Sequence, residues 1–210
     1  GGTKKPSAFL TPTTGLAEIV EALEAKLSGV EVRLGNRAAR VEAASGGHTV
    51  ILENGESIRA DAVIFATPAF ATADLISNLD SQLADSLTGI PYVSTATVSV
   101  AYPLADIPRP LDGYGYIIPR AEGRLILACT WTSTKFPHRA PDGFGLIRAF
   151  VGRAGQEDLL GRSDDELLNL VRDELRRTLG ITAPPILHRV FRWPQAMPQY
   201  TLGHLDRLAL

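Results

Sequence analysis

Apolar residues recur at helical spacing in two long segments of the chain. The first stripe covers residues 16–27, at intervals of three and four, and ends before Gly29. The second opens with the capping-box sequence Ser163-x-x-Glu166 and ends at Gly180. These patterns predict two amphipathic helices, and two shorter helices are predicted at residues 71–77 and 81–87.

Strand-like runs in the first third of the chain predict a β-meander. The dipeptide Asn54-Gly55 is a strong hairpin signal between two of them. Residues 62–66 form a continuous apolar run, which is typical of a strand buried on both faces in a parallel sheet. The shorter runs of the meander are residues 30–34, 37–43, 48–53 and 57–59.

Later strand-like runs predict a second, mostly antiparallel sheet. Each is bounded by Gly or Pro, as strands tend to be, and they lie at residues 92–102, 114–118, 124–131 and 144–151. A further apolar run at 186–191 follows the second long helix. The predicted fold class is α+β, with residues 1–68 and 186–210 in one part and residues 69–185 in the other.

Composition excludes several classes of function. The 210 residues carry a net charge of −2 and show no basic stripe, so nucleic acid is not an expected partner. The single cysteine, Cys129, favours a reducing compartment and reads as a buried, inert thiol. No apolar run reaches the length of a membrane span. We expect a soluble cytoplasmic protein, while peripheral membrane contact stays open.

Metal, hydrolase and phosphate-loop motifs are not found. The four histidines lack the spacing of metal ligands, and there is no Gly-x-Ser-x-Gly elbow. Gly113-x-Gly115 is the start of a dinucleotide fingerprint, but Ile118 stands at its third glycine position and Pro119 follows in a strand context. We therefore predict no phosphate loop there.

Two places are candidates for ligand binding on residue type alone. Residues 192–204 hold Trp193 between an apolar run and two prolines, which predicts a stiff extended loop at a strand end. The alternative is a structural crossover in which the Trp is buried. Arg148 interrupts an apolar strand. It either faces solvent on an edge strand or lies in a cleft, where it could pair with a substrate carboxylate.

The segment PQAMPQYTLGH at residues 194–204 resembles the PQY-x-x-GH segment of oxygen-dependent protoporphyrinogen oxidases, nearest to the bacterial group that also acts on coproporphyrinogen III. Residues 59–68 resemble the strand that flavin amine oxidases place beside their cofactor. Residues 113–119, 136–141 and 151–155 are also similar to porphyrinogen oxidases, so the resemblance covers nearly the whole chain.

The resemblance implies a p-hydroxybenzoate-hydroxylase-like arrangement of interleaved flavin and substrate domains. It assigns residues 1–68 and 186–210 to part of an FAD-binding domain and residues 69–185 to a substrate-binding domain. The implied reaction removes six electrons from a porphyrinogen through FAD, with O₂ reoxidising the flavin in haem biosynthesis.

Residue by residue, the resemblance places Ala38 against the adenine and Trp193 beside the flavin ring. Ile117 and Trp131 fall near positions that line the porphyrinogen cavity, and Arg148 is the candidate for a substrate carboxylate. No catalytic base is assigned, and no metal is expected.

Because no phosphate loop is found, we expect these 210 residues to be a central fragment that by itself binds FAD weakly or not at all, does not turn over and tends to self-associate. Two alternatives stay open. One is another flavin amine oxidase acting on an amine or a carotenoid, and the other is a porphyrin-binding module without redox activity. The sequence does not separate protoporphyrinogen from coproporphyrinogen, and it does not fix the oligomeric state.

Overall fold

A computed structural model of the protein describes residues 9–209. These residues form two compact units that interleave along the chain. The first unit contains the described residues up to Ser28 together with Val93–Gln195, and the second contains Gly29–Tyr92 and the residues from Ala196 onward. The predicted division into cofactor and substrate parts concerns ligand binding and stays a prediction. The compact units divide the chain at other points.

The first unit is built on a five-stranded sheet in the order β5-β6-β7-β4-β8. The pairs β4–β7, β5–β6 and β6–β7 are antiparallel, and with the helices they confirm the predicted α+β class. The strands are β4 Tyr92–Pro103, β5 Gly115–Ile117, β6 Ile126–Trp131, β7 Phe144–Val151 and β8 Leu187–Pro198. The helices are α1 Ala17–Glu24, α4 Thr132–Lys135 and α5 Asp164–Leu179, with 3₁₀ turns at Leu104–Asp106, Arg120–Glu122 and Glu157–Gly161.

One face of this sheet carries the hydrophobic core. Alternate residues of β4 and β7 point to it because side chains alternate across a strand, and Val98, Val100 and Ile147 are fully buried there. The apolar stripe of α5 covers this face through Leu167, Val171 and Leu175, also fully buried. Each such side chain contributes about 1.5–3 kcal/mol on burial, so this contact stabilises the unit substantially.

The ends of α5 are fixed as the sequence predicts. The Ser163 hydroxyl accepts from the Glu166 backbone N–H at 3.3 Å, and the Glu166 carboxylate accepts from the Ser163 backbone N–H at 2.8 Å. Gly180 ends the helix in the left-handed conformation, with φ of 76°. The hydrogen bonds between Ser163 and Glu166 lower the pKa of the Glu166 carboxyl, chiefly through the Ser163 backbone N–H. The capping box is therefore confirmed.

A polar network links α5 to the sheet beneath it. The Glu174 carboxylate is only 5% exposed and accepts from Arg124 Nη1 at 2.8 Å and from the Tyr116 hydroxyl at 3.3 Å. Tyr116 also contacts the Thr178 hydroxyl at 3.1 Å. Cys129 is buried beside this network, which confirms the prediction of a buried thiol, and this burial raises its pKa to about 11.

The second unit contains a three-stranded antiparallel meander and three helices. The turn between its second and third strands contains Gly55, whose φ is 87°, so the predicted hairpin turn at Asn54-Gly55 is confirmed. A small core joins α2 and α3. The elements are β1 Ala38–Ala44, β2 Gly47–Leu52, β3 Ser57–Ala60, α2 Ala69–Ile76, α3 Ser81–Thr88 and α6 His204–Leu208.

Two predicted strands of this unit are not formed. Residues 30–34 are irregular. Residues 62–66 form no strand and have no ladder partner among the described residues, and Ile64 is 93% exposed. The prediction of a strand buried on both faces was therefore wrong for the described part of the chain, because a parallel strand requires neighbouring strands to bury its faces.

Two other segments differ from prediction in extent. Helix α1 forms but ends at Glu24, before the last predicted residues, and none of its residues is buried. The segment after residue 191 was predicted as a loop at a strand end, whereas β8 continues to Pro198. Strand β8 tolerates Pro194 and Pro198 because it is the edge strand of its sheet, where a missing backbone N–H on the open side removes no hydrogen bond between strands.

Candidate functional site

The side of the five-stranded sheet opposite the core, here called the open face, is lined by two rows of cross-strand neighbours. The pairing registers align these rows, and their members are half-buried or exposed. The first row is Thr97, Phe150, Ala128 and Ile117, and the second is Ser99, Arg148, Thr130 and Gly115.

Gly115 lets the open face stay flat at its outer strand. Its φ is 126°, a conformation that L side chains rarely adopt. A Cβ at this position would collide with the carbonyl oxygen of Cys129 and lie 2.8 Å from the Cα of Thr130. Strand β5 can therefore approach β6 this closely only with glycine there.

Arg148 lies at the middle of the open face. Its strand β7 sits between β6 and β4, so the alternative of an edge strand was wrong. The side chain is exposed, and its Nε donates to the Ser99 hydroxyl at 3.4 Å. No carboxylate among residues 9–209 forms an ion pair with it. An arginine in this position is available to an acidic ligand.

Next to Arg148 lies a cavity of about 540 Å³, here called the cationic cavity. Three cations line it, and no described lining residue is Asp or Glu. Apolar side chains complete its walls. The residues that matter below are Thr132, Lys135, Arg139 and Arg148, with Phe136 and Phe150 among the apolar walls.

Arg139 has a structural role at the rim of this cavity. Its Nη2 donates to the Thr11 hydroxyl at 2.6 Å and to the Pro12 carbonyl at 3.1 Å. These bonds hold the segment before α1 against the 136–141 loop. Arg139 is therefore already engaged, in contrast to Arg148.

Lys135 ends helix α4 and points its charge over aromatic rings. Its Nζ lies 3.9 Å from the ring centroid of Phe9 and 5.4 Å from that of Phe136. Phe9 in turn meets Tyr114 edge to face at 5.3 Å. Cation–π contacts hold an ammonium in place without neutralising it, so Lys135 keeps its full attraction for an anion.

Thr132 starts helix α4 in the wall of the cationic cavity. It is 5% exposed, and its hydroxyl finds no hydrogen-bond partner among the described residues. A buried hydroxyl without a partner destabilises a fold by about 1–3 kcal/mol. Such a group at the wall of a cavity is a candidate ligand contact.

The predicted substrate residues do not all share one face. Ile117 lies on the open face, 79% exposed, in the same row as Phe150. Trp131 lies in the core, where its ring meets Tyr116 edge to face at 5.5 Å. Its neighbour Thr130 takes the place beside Arg148. The structure thus brings Ile117 and Arg148 together on the open face and places Trp131 behind it.

Ala38, predicted to meet an adenine, lies in the second unit at the start of β1. It lines a cavity of about 560 Å³ together with Asn36, Ala39 and Thr67. The register shifts between Ala38 and Arg40, so Ala39 is the extra residue of a β-bulge. A bulge leaves backbone polar groups outside the ladder, and small side chains let a flat ring approach them.

Trp193, predicted to lie beside a flavin ring, stands exposed on the edge strand β8. Two residues further on, Gln195 has φ of 43°, an uncommon conformation for a residue other than glycine. Its backbone N–H donates to the Ser94 hydroxyl at 2.9 Å. Strained backbone of this kind clusters at binding sites, which agrees with a functional position for this stretch.

The described residues contain no group of three or more His, Cys, Asp and Glu side chains that could hold a metal ion. None of their helices combines the length and apolar character needed to cross a bilayer.

The family model described as flavin containing amine oxidoreductase matches residues 2–210. The chain belongs to this family of flavoenzymes. It is 35% identical over 205 residues to coproporphyrinogen III oxidase of Bacillus subtilis, covering 98% of this chain and 43% of that protein. It is 30% identical to the chloroplastic protoporphyrinogen oxidase of rice, Oryza sativa, covering 98% of this chain and 40% of the relative.

A solved structure from Exiguobacterium, provisionally assigned as a protoporphyrinogen oxidase, superposes with a TM-score of 0.84 at 30% identity, covering 98% of this chain and 44% of that chain. The resemblance seen in the sequence is therefore confirmed. The chain spans less than half the length of these flavoenzyme relatives.

Sequence reasoning missed Lys135, Thr132, Thr130 and Phe150 as members of the site. The alternation within β6 and β7 contained part of the signal, because it sets Thr130 and Phe150 on the face opposite to Cys129 and Ala149. Which of the two faces is open depends on where α5 packs, and the strand pattern alone does not give this.

Proposed function

We propose that this chain carries the porphyrinogen-binding sheet and part of the FAD site of an oxygen-dependent porphyrinogen oxidase. The family is one of flavin-containing enzymes. The relatives described above are named as oxidases of coproporphyrinogen III or protoporphyrinogen. Ile117 and Arg148 serve as substrate contacts in this proposal, and Ala38 and Trp193 as flavin contacts.

The observation that carries the proposal is the pairing of the open face with the cationic cavity. A porphyrinogen is a broad, mostly apolar macrocycle with carboxylates at its edge. The row from Thr97 to Ile117 offers apolar and small side chains, and the cations lie at one side of it. A ligand site is typically an apolar surface with a few placed polar groups, which describes this arrangement.

In the second unit, the bulge at Ala39 and the small side chains around it suit an adenine. In the first unit, the exposed indole of Trp193 suits a face of the flavin ring system. When bound, the flavin would supply the redox chemistry, with O₂ as the proposed electron acceptor. The chain's own residues would bind and orient the macrocycle and exclude water from it.

The sequence shows no loop to bind the phosphates of the cofactor, so we propose that these 210 residues alone hold FAD only weakly. We also propose that they tend to self-associate, because large apolar side chains such as those of Trp193 and Leu202 are exposed. Trp131 lies in the core behind the open face, next to Thr130 in β6, and its substrate role stays a prediction. We further propose a cytoplasmic location, since the single buried cysteine suits a reducing compartment.

The experiment uses the protein as its gene encodes it, purified with its flavin. Mixing with coproporphyrinogen III without oxygen should bleach the flavin absorbance, and putrescine should leave it unchanged. Bleaching by an amine instead would support another flavin amine oxidase. Porphyrin binding without any flavin would support a module that has no redox role. Either result would overturn the proposal.

A further inference from the structure

The cationic cavity carries charge that nothing in the described structure neutralises. Arg139 is engaged by Thr11 and Pro12, whereas neither Arg148 nor Lys135 forms an ion pair within residues 9–209, and the Lys135 ammonium lies over the rings of Phe9 and Phe136. Two cations without acidic partners repel each other across a shared cavity, and a bound anion relieves this repulsion. The cavity is therefore shaped for anionic groups.

Thr132 adds an independent reason to expect a ligand. Its hydroxyl is buried, lines the same cavity and has no partner within residues 9–209. A valine of the same shape would avoid this penalty if the residue served packing alone. A carboxylate paired with either of the two cations could accept a hydrogen bond from this hydroxyl.

The walls restrict which anion can enter. Phe136 and Phe150 line the cavity, and Phe150 continues it into the apolar row of the open face. A small, fully hydrated anion gains nothing from these surfaces. A carboxylate on a short alkyl arm of an apolar macrocycle gains from both the cations and the apolar walls.

We propose that the cationic cavity is a carboxylate subsite that seats a pair of neighbouring propionates of the macrocycle. Arg148 and Lys135 each pair with one propionate, and the Thr132 hydroxyl donates to one of them. This subsite fixes which edge of the macrocycle points toward helix α4. The assignment rests on the proposed porphyrinogen function and adds the side chains that orient the substrate.

The test measures binding of coproporphyrin III and of its tetramethyl ester, both in the same mild detergent, to the protein as its gene encodes it. Arg148→Gln and Lys135→Gln should each weaken binding of the free acid about tenfold, since each removes a charge-assisted hydrogen bond. Binding of the ester should change less than about twofold, because the ester carries no charge for these residues to pair with.

Thr132→Val separates ligand binding from folding. It should weaken free-acid binding about fivefold while leaving the thermal midpoint unchanged or higher, because it removes an unsatisfied buried hydroxyl. Arg176→Gln is the matched charge control, since Arg176 lies on α5, which covers the opposite face of the sheet. It should leave both affinities unchanged.

The outcomes separate the two proposals. If the unaltered protein binds neither porphyrin, the proposed function fails. If it binds both and the variants at Arg148 and Lys135 have no effect, the carboxylate subsite is wrong while the proposed function stands. Equal losses for acid and ester would show that these residues only shape the sheet, which also overturns the subsite.

Discussion

The buried ion pair between Arg124 and Glu174 offers a quantitative test of how α5 is held on its sheet. The change is Arg124→Met, which keeps the length of the side chain and removes its charge. Glu174, 5% exposed, then loses the 2.8 Å bond to the guanidinium and keeps only the 3.3 Å bond from Tyr116. A buried carboxylate would be left with one weak donor.

The expected loss follows from the geometry. Removing one partner of a buried pair destabilises a fold by about 3–5 kcal/mol. The side chain of Arg124 is 26% exposed, so water can occupy part of the vacated space, and we expect a loss below that range, of about 2 kcal/mol. In the double variant Arg124→Met, Glu174→Met no charge is stranded, and Tyr116 retains Thr178 at 3.1 Å, so the loss should fall to about 1 kcal/mol or less.

The assay is urea unfolding followed by tryptophan fluorescence in a Trp193→Phe background. The chain has two tryptophans, so Trp131 is then the reporter, and it lies in the same core as the ion pair. The reasoning is refuted if Arg124→Met loses less than about 0.5 kcal/mol, or if the double variant is less stable than the single one.

Three further predictions concern local chemistry. Burial raises the pKa of the Cys129 thiol from 9.0 to about 11, so at pH 8 it should react with iodoacetamide about 100-fold more slowly in the folded chain than in urea. Mass spectrometry measures the two rates, and equal rates would contradict the burial of this thiol. The fold lowers the pKa of Glu166, so its contribution to the free energy of unfolding is present above pH 4.5 and is lost as the pH falls through the folded pKa. In Glu166→Gln the stability should therefore depend less steeply on pH in this range, and an unchanged acid-unfolding profile would contradict this. Gly115→Ala should lower the free energy of unfolding by about 2 kcal/mol or more, since its Cβ meets a backbone carbonyl; Gly161→Ala, in open space, is the control and should change little.

The local elements were predictable where short-range signals determine them. The capping box at Ser163 and Glu166 fixes where α5 begins, and Gly180 fixes where it ends. The strand at Phe144–Val151 was predicted with its observed bounds, because alternating residues between turn signals define it locally. These features depend on neighbours within a few positions in the chain.

Features that depend on distant parts of the chain were missed. Residues 62–66 have the composition of a buried strand, yet no described strand lies beside them to make one. The open face of β6 could not be chosen without knowing where α5 packs, so the strand pattern alone does not show that Thr130 lies on it beside Arg148. The cationic cavity joins Arg148 of a central strand to Lys135 of a four-residue helix, and no spacing rule links those positions.

The central claim is that the open face binds a porphyrinogen with its carboxylates in the cationic cavity. A crystal structure of the protein as its gene encodes it, with coproporphyrin III bound, tests this most directly. The account predicts the macrocycle over the row that contains Phe150 and Ile117, with propionate oxygens within hydrogen-bond distance of Arg148 and Lys135. A macrocycle seated away from the open face, or one whose propionates point away from helix α4, would contradict it.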